Sequence, residues 1–318
     1  MDEFEIIRRL FTPETYDSSV RVGVGDDGAV LRPVAGRDLV TVVDTMVSGV
    51  HFPQDLEPGD VGYRAVAVNA SDIAAMGGRP RWMTLALTLS HAEPGWLQHF
   101  SAGILSAARE FGVDLVGGDI TRGSQIVMSV QITGDIQPNL VMKRGGAKPG
   151  DGIYVSGSPG DAALGLSFLS SLGAGESQST EVNYLIRRFS RPNARVALGQ
   201  AIAPVATAAI DISDGLYGDL EKLLAASGVA GTIELNALPF SEALTTLVTP
   251  QEAIRLALGG GDDYELCFTA GDPAVERIGQ QVGVPVTRIG YVSEGRGLAC
   301  VQEGKPYDYR DQGYRHFQ

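Results

Sequence analysis

Leu39–Asp44 (LVTVVD) and, after a short break, Asp60–Met76 (DVGYRAVAVNASDIAAM) decide the fold class. The first stretch is rich in Val and Thr, whose branched side chains suit a pleated strand. The second opens on an acid, places Val61, Ala65, Val66, Val68, Ile73 and Met76 at helical spacing, and stops at Gly77-Gly78. Outward from there the alternation continues. Trp82–Leu89 reads as a strand, and Gly95–Phe111 as a helix with Leu97, Phe100, Ile104 and Ala108 on one side. Asp114–Val116 and Gln125–Ile132 read as strands. A polar stretch, Gln137–Gly150, carries Pro138, Gly145, Gly146, Pro149 and Gly150 and marks a domain boundary. Beyond it, Gly152–Ser156, Ala208–Asp211 and Glu265–Thr269 read as strands. Pro159–Leu172, Glu181–Phe189, Ala194–Ala203 and Tyr217–Ser227 read as helices. The expectation is an α/β (α+β) chain in two lobes, residues 1–137 and 150–318. Its sheets should be mixed or antiparallel, because strands of the first half also follow one another without helices.

Composition narrows the function. The 318 residues carry a net charge of −13. That argues against a general nucleic-acid surface, which needs Lys and Arg to neutralise phosphates. It leaves room for a small phosphorylated ligand held through cations. Glycine is 41 of 318, well above the usual share of about 7%, so many positions need tight turns or close approach. Cys267 and Cys300 form neither a disulfide framework nor a zinc ribbon. Met1-Asp2-Glu3-Phe4-Glu5 has no apolar core of a signal peptide, and no stretch reaches the ~18 apolar residues of a membrane span. The expected location is the cytoplasm, with no membrane and no nucleic-acid partner.

The chemistry lies in aspartates set beside glycines. They occur in Gly25-Asp26-Asp27-Gly28, at Asp44, at Asp72 inside an apolar helix with Asn69 three residues before it, and in Gly117-Gly118-Asp119. They recur in Asp211-Ile212-Ser213-Asp214-Gly215 and Gly261-Asp262-Asp263. Any one Asp-Gly pair reads first as a plain turn; Asp72 has no such explanation. Hard cations such as Mg²⁺ take carboxylate, water and phosphate oxygens, and clustered carboxylates repel unless cations lie among them. The lysines are Lys143, Lys148, Lys222 and Lys305, none in a Walker motif. Gly23–Gly28 matches a dinucleotide fingerprint by letter only, with acids where a pyrophosphate would lie. Arg122 and Arg144 are candidates to meet phosphate, though either alone reads first as a surface arginine, and there is no G-x-S-x-G elbow.

In order, VGVGDDGAVL, VVDTMVSGVHF, AVNASDIAAMGGRP, LVGGDITRG, KRGGAKPGD, AIDISDGLYGDL and GGGDDYELCFT resemble the thiamine-monophosphate kinase family. This is a branch of the ATP-binding superfamily that includes aminoimidazole ribonucleotide synthetase. The likeness runs from about Glu5 to Phe317. It implies a two-lobed fold whose N-terminal lobe pairs across a homodimer into a β-barrel, with an α/β C-terminal lobe. It also implies transfer of the γ-phosphoryl group of ATP to thiamine monophosphate. By motif match, Asp27, Asp44, Asp72, Asp119, Asp211 and Asp214 would hold several Mg²⁺ ions, with Asp44, Asp72 and Asp119 catalytic. Gly118, Asp119, Arg144 and Ser213 would bind ATP, and His51, Asp262 and Tyr314 the thiamine substrate. Two positions depart from the pattern: Val42 and Val43 stand where a hydroxyl residue is usual before Asp44, and Asp262 stands where Glu is common. Two other readings stay open, another ATP-dependent synthetase of the superfamily and a non-catalytic nucleotide-binding module.

Overall fold

The computed structural model describes residues 3–13, 16–171, 179–271 and 275–309. The chain divides into two compact units, Met1–Ile73 with Gly78–Asn139, and Ala74–Gly77 with Leu140–Gln318.

In the first unit, α1 (Glu3–Leu10) precedes a small ribbon of β1 (Val20–Val22) and β2 (Val30–Leu31). Then come β3 (Asp38–Val47), α2 (Pro58–Ala75), β4 (Arg79–Leu89), α3 (Pro94–Phe111), β5 (Asp114–Arg122) and β6 (Val127–Ile136). Four strands form one sheet in the order β3-β6-β4-β5. β6 pairs antiparallel with both β3 and β4, while β4 and β5, joined through α3, are parallel. The mixed sheet is the one expected. α2 is buried at every position from Val61 to Ser71, as a helix apolar on nearly all sides must be. It crosses α3 so closely that a Cβ on Gly103 would sit 1.9 Å from Gly59 O. α3 has its ends written in sequence: Glu93 takes the N–H groups of Gly95 and Trp96, Pro94 opens the first turn, and Gly112 closes it at φ 66°.

The second unit contains β7 (Gly152–Ser156), α4 (Asp161–Ser171), α5 (Thr180–Ser190), α6 (Val196–Ile202), β8 (Ala208–Asp211) and α7 (Leu216–Ser227). These are followed by β9 (Ala230–Glu234), α8 (Glu242–Leu247), α9 (Pro250–Gly259), β10 (Leu266–Ala270), α10 (Val275–Gln281), β11 (Val286–Ser293), β12 (Gly297–Gln302) and β13 (Lys305–Tyr307). Seven strands form a sheet in the order β13-β12-β9-β11-β7-β10-β8, with only β12 and β9 parallel. Alternate residues of its strands feed two cores, because strand side chains alternate between faces. Ile153, Val155, Ile210 and Cys267 pack with α7 and α9. Tyr154, Ala209, Leu266 and Phe268 pack with α6 and α10. Covered on both faces, β7, β8 and β10 are buried throughout. That places their ends, and the loops leaving them, on a rigid support.

Candidate active site

In the first unit two of the candidate residues, Asp72 and His51, act on Asp44. The strand expected over Leu39–Asp44 runs on to Val47, since Met46 and Val47 continue the ladder against Met128 and Val127. Asp44 is therefore inside a strand rather than at its end. Asn69 is buried in α2; its Nδ2 donates to Ala65 O at 3.0 Å and its Oδ1 accepts the Asp44 N–H at 3.0 Å. Asp72, three residues on and so on the same side of the helix, brings its carboxyl into hydrogen-bond contact with that of Asp44. Two touching carboxyls need a shared proton or a cation. Asp44 keeps an open surface, yet enough protein crowds it that desolvation raises its pKa, against the opposing pulls of His51 and the Asp72 bond. The His51 Nδ1 accepts the Val47 N–H at 3.0 Å, which leaves the proton of the neutral ring on Nε2. Thus Asp72, from another motif, and His51, from its own, both act on Asp44.

Asp27 and Asp119 are exposed. Asp27 lies in the turn between β1 and β2, its N–H bonded to Asp26 Oδ1 at 2.9 Å. Asp119 lies within β5, in register with Ala86. The strand expected to stop at Val116 thus runs through Gly117-Gly118 to Arg122. Gly118 has a structural reason to lack a side chain, since a Cβ there would lie 2.0 Å from Leu85 O on β4. Among the described residues no three His, Cys, Asp or Glu side chains converge as a ready metal cage. A cation at Asp44 and Asp72 would complete its shell with water or ligand oxygens, as Mg²⁺ ordinarily does.

In the second unit, Asp211 ends β8 and is buried opposite Leu266. The chain then turns through Ile212-Ser213-Asp214-Gly215 into α7. Asp219 Oδ2 reaches back to accept the N–H groups of Ser213 and Asp214, both at 2.9 Å. Lys222 bridges Asp219 Oδ1 at 2.8 Å and Asp214 Oδ2 at 2.6 Å. Burial raises the pKa of Asp219, while Lys222 pulls it down. Alongside runs the segment before β10. The Asp262 N–H donates to Ser213 O at 2.9 Å, Tyr264 N–H to Ile212 O at 2.9 Å, and Ile212 N–H to Glu265 O at 2.8 Å. Two motifs some fifty residues apart are therefore one double-stranded platform. Asp262 and Tyr264 have φ of 70° and 51°, a left-handed backbone that costs about 1–3 kcal/mol for such residues.

Arg144 is exposed, and its carbonyl accepts from Ser227 Oγ at 3.1 Å. Ser227 ends α7 and Ser213 precedes its start. The Arg144 backbone and Ser213 thus stand at opposite ends of a 12-residue helix, roughly 18 Å long. Tyr314 lies outside the described residues. Both cysteines are buried, and burial pushes the Cys300 thiol up to about 11 and that of Cys267 higher still. Neither is set up as a nucleophile at neutral pH.

This arrangement has counterparts among known proteins. Residues 25–136 match the family described as AIR synthase related protein, N-terminal domain, and residues 148–303 match the corresponding C-terminal domain. The thiamine-monophosphate kinase of Salmonella typhimurium is 44% identical, covering 99% of this chain and 98% of its own. The chain belongs to the thiamine-monophosphate kinase family. Solved structures agree. The thiamine-monophosphate kinase of Stenotrophomonas maltophilia K279a aligns with a TM-score of 0.88 at 38% identity, covering 96% of this chain and 98% of that one. AaThiL complexed with AMPPCP and TMP aligns with a TM-score of 0.78 at 31% identity, covering 99% and 96%.

For this thiamine-monophosphate kinase family member, the site holds residues that motif reading passes over. Asn69 and Asp219 hold the backbone of the acidic positions. Asp219 had a signal: it occupies the buried stripe of α7 with Leu216, Leu220, Leu223 and Leu224, where an acid needs a partner. Lys222, three residues on, is that partner.

Proposed function

We propose that the chain transfers the γ-phosphoryl group of ATP to the phosphate of thiamine monophosphate, giving thiamine diphosphate and ADP. The observation that carries this reading is the full-length similarity to a solved family member holding AMPPCP and TMP, an ATP analogue and the acceptor. The chain's own acidic positions fit the reaction. Asp44 and Asp72 present only oxygens, their carboxyls touch, and this donor set suits a hard dication. We assign Asp27, Asp44, Asp72 and Asp119 of the first unit, and Asp211 and Asp214 of the second, to holding magnesium. Magnesium held there supplies charge neutralisation and alignment for phosphoryl transfer.

The remaining work falls to the chain's residues. Ser213, on the platform braced by Asp219, is assigned to the nucleotide with Gly118, Asp119 and Arg144. His51, Asp262 and Tyr314 are assigned to the acceptor, where the His51 Nε2–H is a donor and Asp262 an acceptor. An oxygen of the acceptor phosphate attacks the γ-phosphorus, the bond to the bridging oxygen of ADP breaks, and ADP departs with that oxygen. The attacking oxygen is already ionised at neutral pH, so no strong general base is needed. We place the enzyme in the cytoplasm; among the described residues no helix is long and apolar enough to cross a membrane. We further propose a homodimer through the first unit, at the exposed face of its edge strand β3. The deciding experiment incubates the chain with ATP, Mg²⁺ and thiamine monophosphate and separates the products. Thiamine diphosphate and ADP in equal amounts are expected, and folded protein that yields neither overturns the reading.

A further inference from the structure

The segment that carries Asp262 is held from beneath by side chains outside every motif role assigned above. Asp262 and Tyr264 are half-buried, while Asp263 and Glu265 between and after them are fully buried. Asp263 Oδ2 accepts the Gly160 N–H at 2.7 Å and its Oδ1 the Ala162 N–H at 3.2 Å, fastening the segment to the start of α4. Glu265 is gripped from three sides. Arg195 donates through Nε at 2.6 Å and Nη2 at 2.5 Å, Arg188 through Nη2 at 2.8 Å, and Ser156 through Oγ at 2.5 Å. The Arg188 Nη2 also lies 3.4 Å from the carbonyl of Asp263. Buried ion pairs contribute little net stability compared with apolar packing; what they supply is directionality. Here that directionality falls on a segment whose two left-handed, non-glycine residues persist only where the surroundings over-determine them.

We infer that Asp263, fastened to the Gly160 and Ala162 N–H groups, and Glu265, clamped by Arg188 and Arg195, are positioning residues that set affinity for the phosphorylated acceptor by holding Asp262 in its left-handed conformation beside Ser213. The inference rests on the reading that Asp262 contacts the acceptor. Loosening the clamp lets Asp262 relax toward ordinary backbone angles and turns its carboxylate away, without removing any group that touches substrate.

The test is steady-state kinetics of the full chain with ATP, Mg²⁺ and thiamine monophosphate, on Asp262→Ala, Asp263→Asn, Arg195→Met, Arg195→Lys and the Asp262→Ala/Asp263→Asn double variant. Asp263→Asn and Arg195→Met are expected to raise KM for thiamine monophosphate about tenfold or more, with kcat and KM for ATP moving much less. Arg195→Lys should recover part of that loss. The double variant should be no worse than Asp262→Ala alone, because residues acting through one another are not additive. If Asp262→Ala leaves the acceptor KM unchanged, the assignment of Asp262 fails. If Asp262→Ala raises it while Asp263→Asn and Arg195→Met do not, or if the double variant multiplies the two effects, the clamp inference fails alone. Should Asp263→Asn not fold, the Arg195 pair decides, since Arg195 is at the more accessible rim of the cluster.

Discussion

The carboxylate of Asp219 accepts the main-chain N–H of Asp214 at 2.9 Å, so the turn that opens α7 is closed by a side chain of the helix it leads into. The same oxygen takes the Ser213 N–H. Replacing Asp219 by Asn keeps the shape but removes the charge that binds two N–H groups and Lys222. Asp219→Asn is expected to lower unfolding stability by about 2–4 kcal/mol and to raise KM for ATP through the loosened Ser213 loop. Lys222→Met takes the counter-charge from the buried Asp219 but leaves the carboxylate its two N–H donors, so it should cost about 1–2 kcal/mol, less than Asp219→Asn. Urea unfolding and ATP kinetics of both variants check this; equal effects of the two would contradict it.

Asp44 and Asp72 pose a conflict between stability and function. Their carboxyls touch, which is unfavourable when both are charged and no cation is present. Asp72→Asn keeps a hydrogen bond to Asp44 while removing the repulsion. In EDTA its melting temperature should equal or exceed that of the wild type. The rise that Mg²⁺ gives the wild type should shrink, and kcat should fall by about a thousandfold or more. Thermal melts with and without Mg²⁺ separate this from a simple folding defect, which would lower the melting temperature in EDTA.

How far the sequence discloses this site depends on what each residue answers to. Strands β3, β4, β7, β8 and β10 and helices α2, α3, α5 and α7 are legible because their apolar periodicity is set by burial. The Gly117–Asp119 stretch misleads: two glycines read as a strand end, yet both lie inside β5, where Leu85 O leaves no room for a Cβ at position 118. β9 and β11 pair across long separations, and the short α8 and α10 have too few turns to show a period; neither kind is written locally. Motif likeness singles out Asp44, Asp72, Ser213 and Asp262 as candidates, but not that Ser213 and Asp262 share a backbone hydrogen bond. Nor does it find that Asn69 serves Asp44, for only the pairing of β3 with β6 and the placing of α2 bring those two together.

Glu265 gives the acid limb of stability a definite sign. Burial alone would raise its pKa, but Arg195 and Arg188, with Ser156, outweigh it and hold it below the usual glutamate value of 4.5. The unfolded chain therefore binds a proton at higher pH than the folded one. The stabilisation is fully present above pH 4.5 and is lost as pH falls through the lower folded value. Glu265→Gln should flatten that limb of the stability–pH curve. It should also cost about 3–5 kcal/mol near neutrality, because two buried guanidiniums lose their counter-charge. Denaturant unfolding of both proteins between pH 3 and 7 reads both effects; an unchanged acid slope would refute the assignment.

The β3 edge is the testable part of the proposed dimer. β3 ends the four-stranded sheet and is long for an edge at 10 residues, and long, open edges with apolar side chains invite pairing. Leu39 and Val43 are 51% and 62% exposed. By strand alternation they share a face with Thr41 and Thr45, which bond across to Thr133 and Ser129 at 3.1 Å and 2.7 Å. A band of apolar and hydroxyl groups on a flat face suits a second copy of the same band. Val43→Lys changes a side chain that is mostly exposed, so the fold should lose no more than about 0.5 kcal/mol. In a dimer through this face it would bury two like charges near each other. Light scattering should therefore give twice the chain mass for the wild type and the single-chain mass for Val43→Lys, with unchanged circular dichroism. A variant that keeps the wild-type mass would rule this face out as the interface.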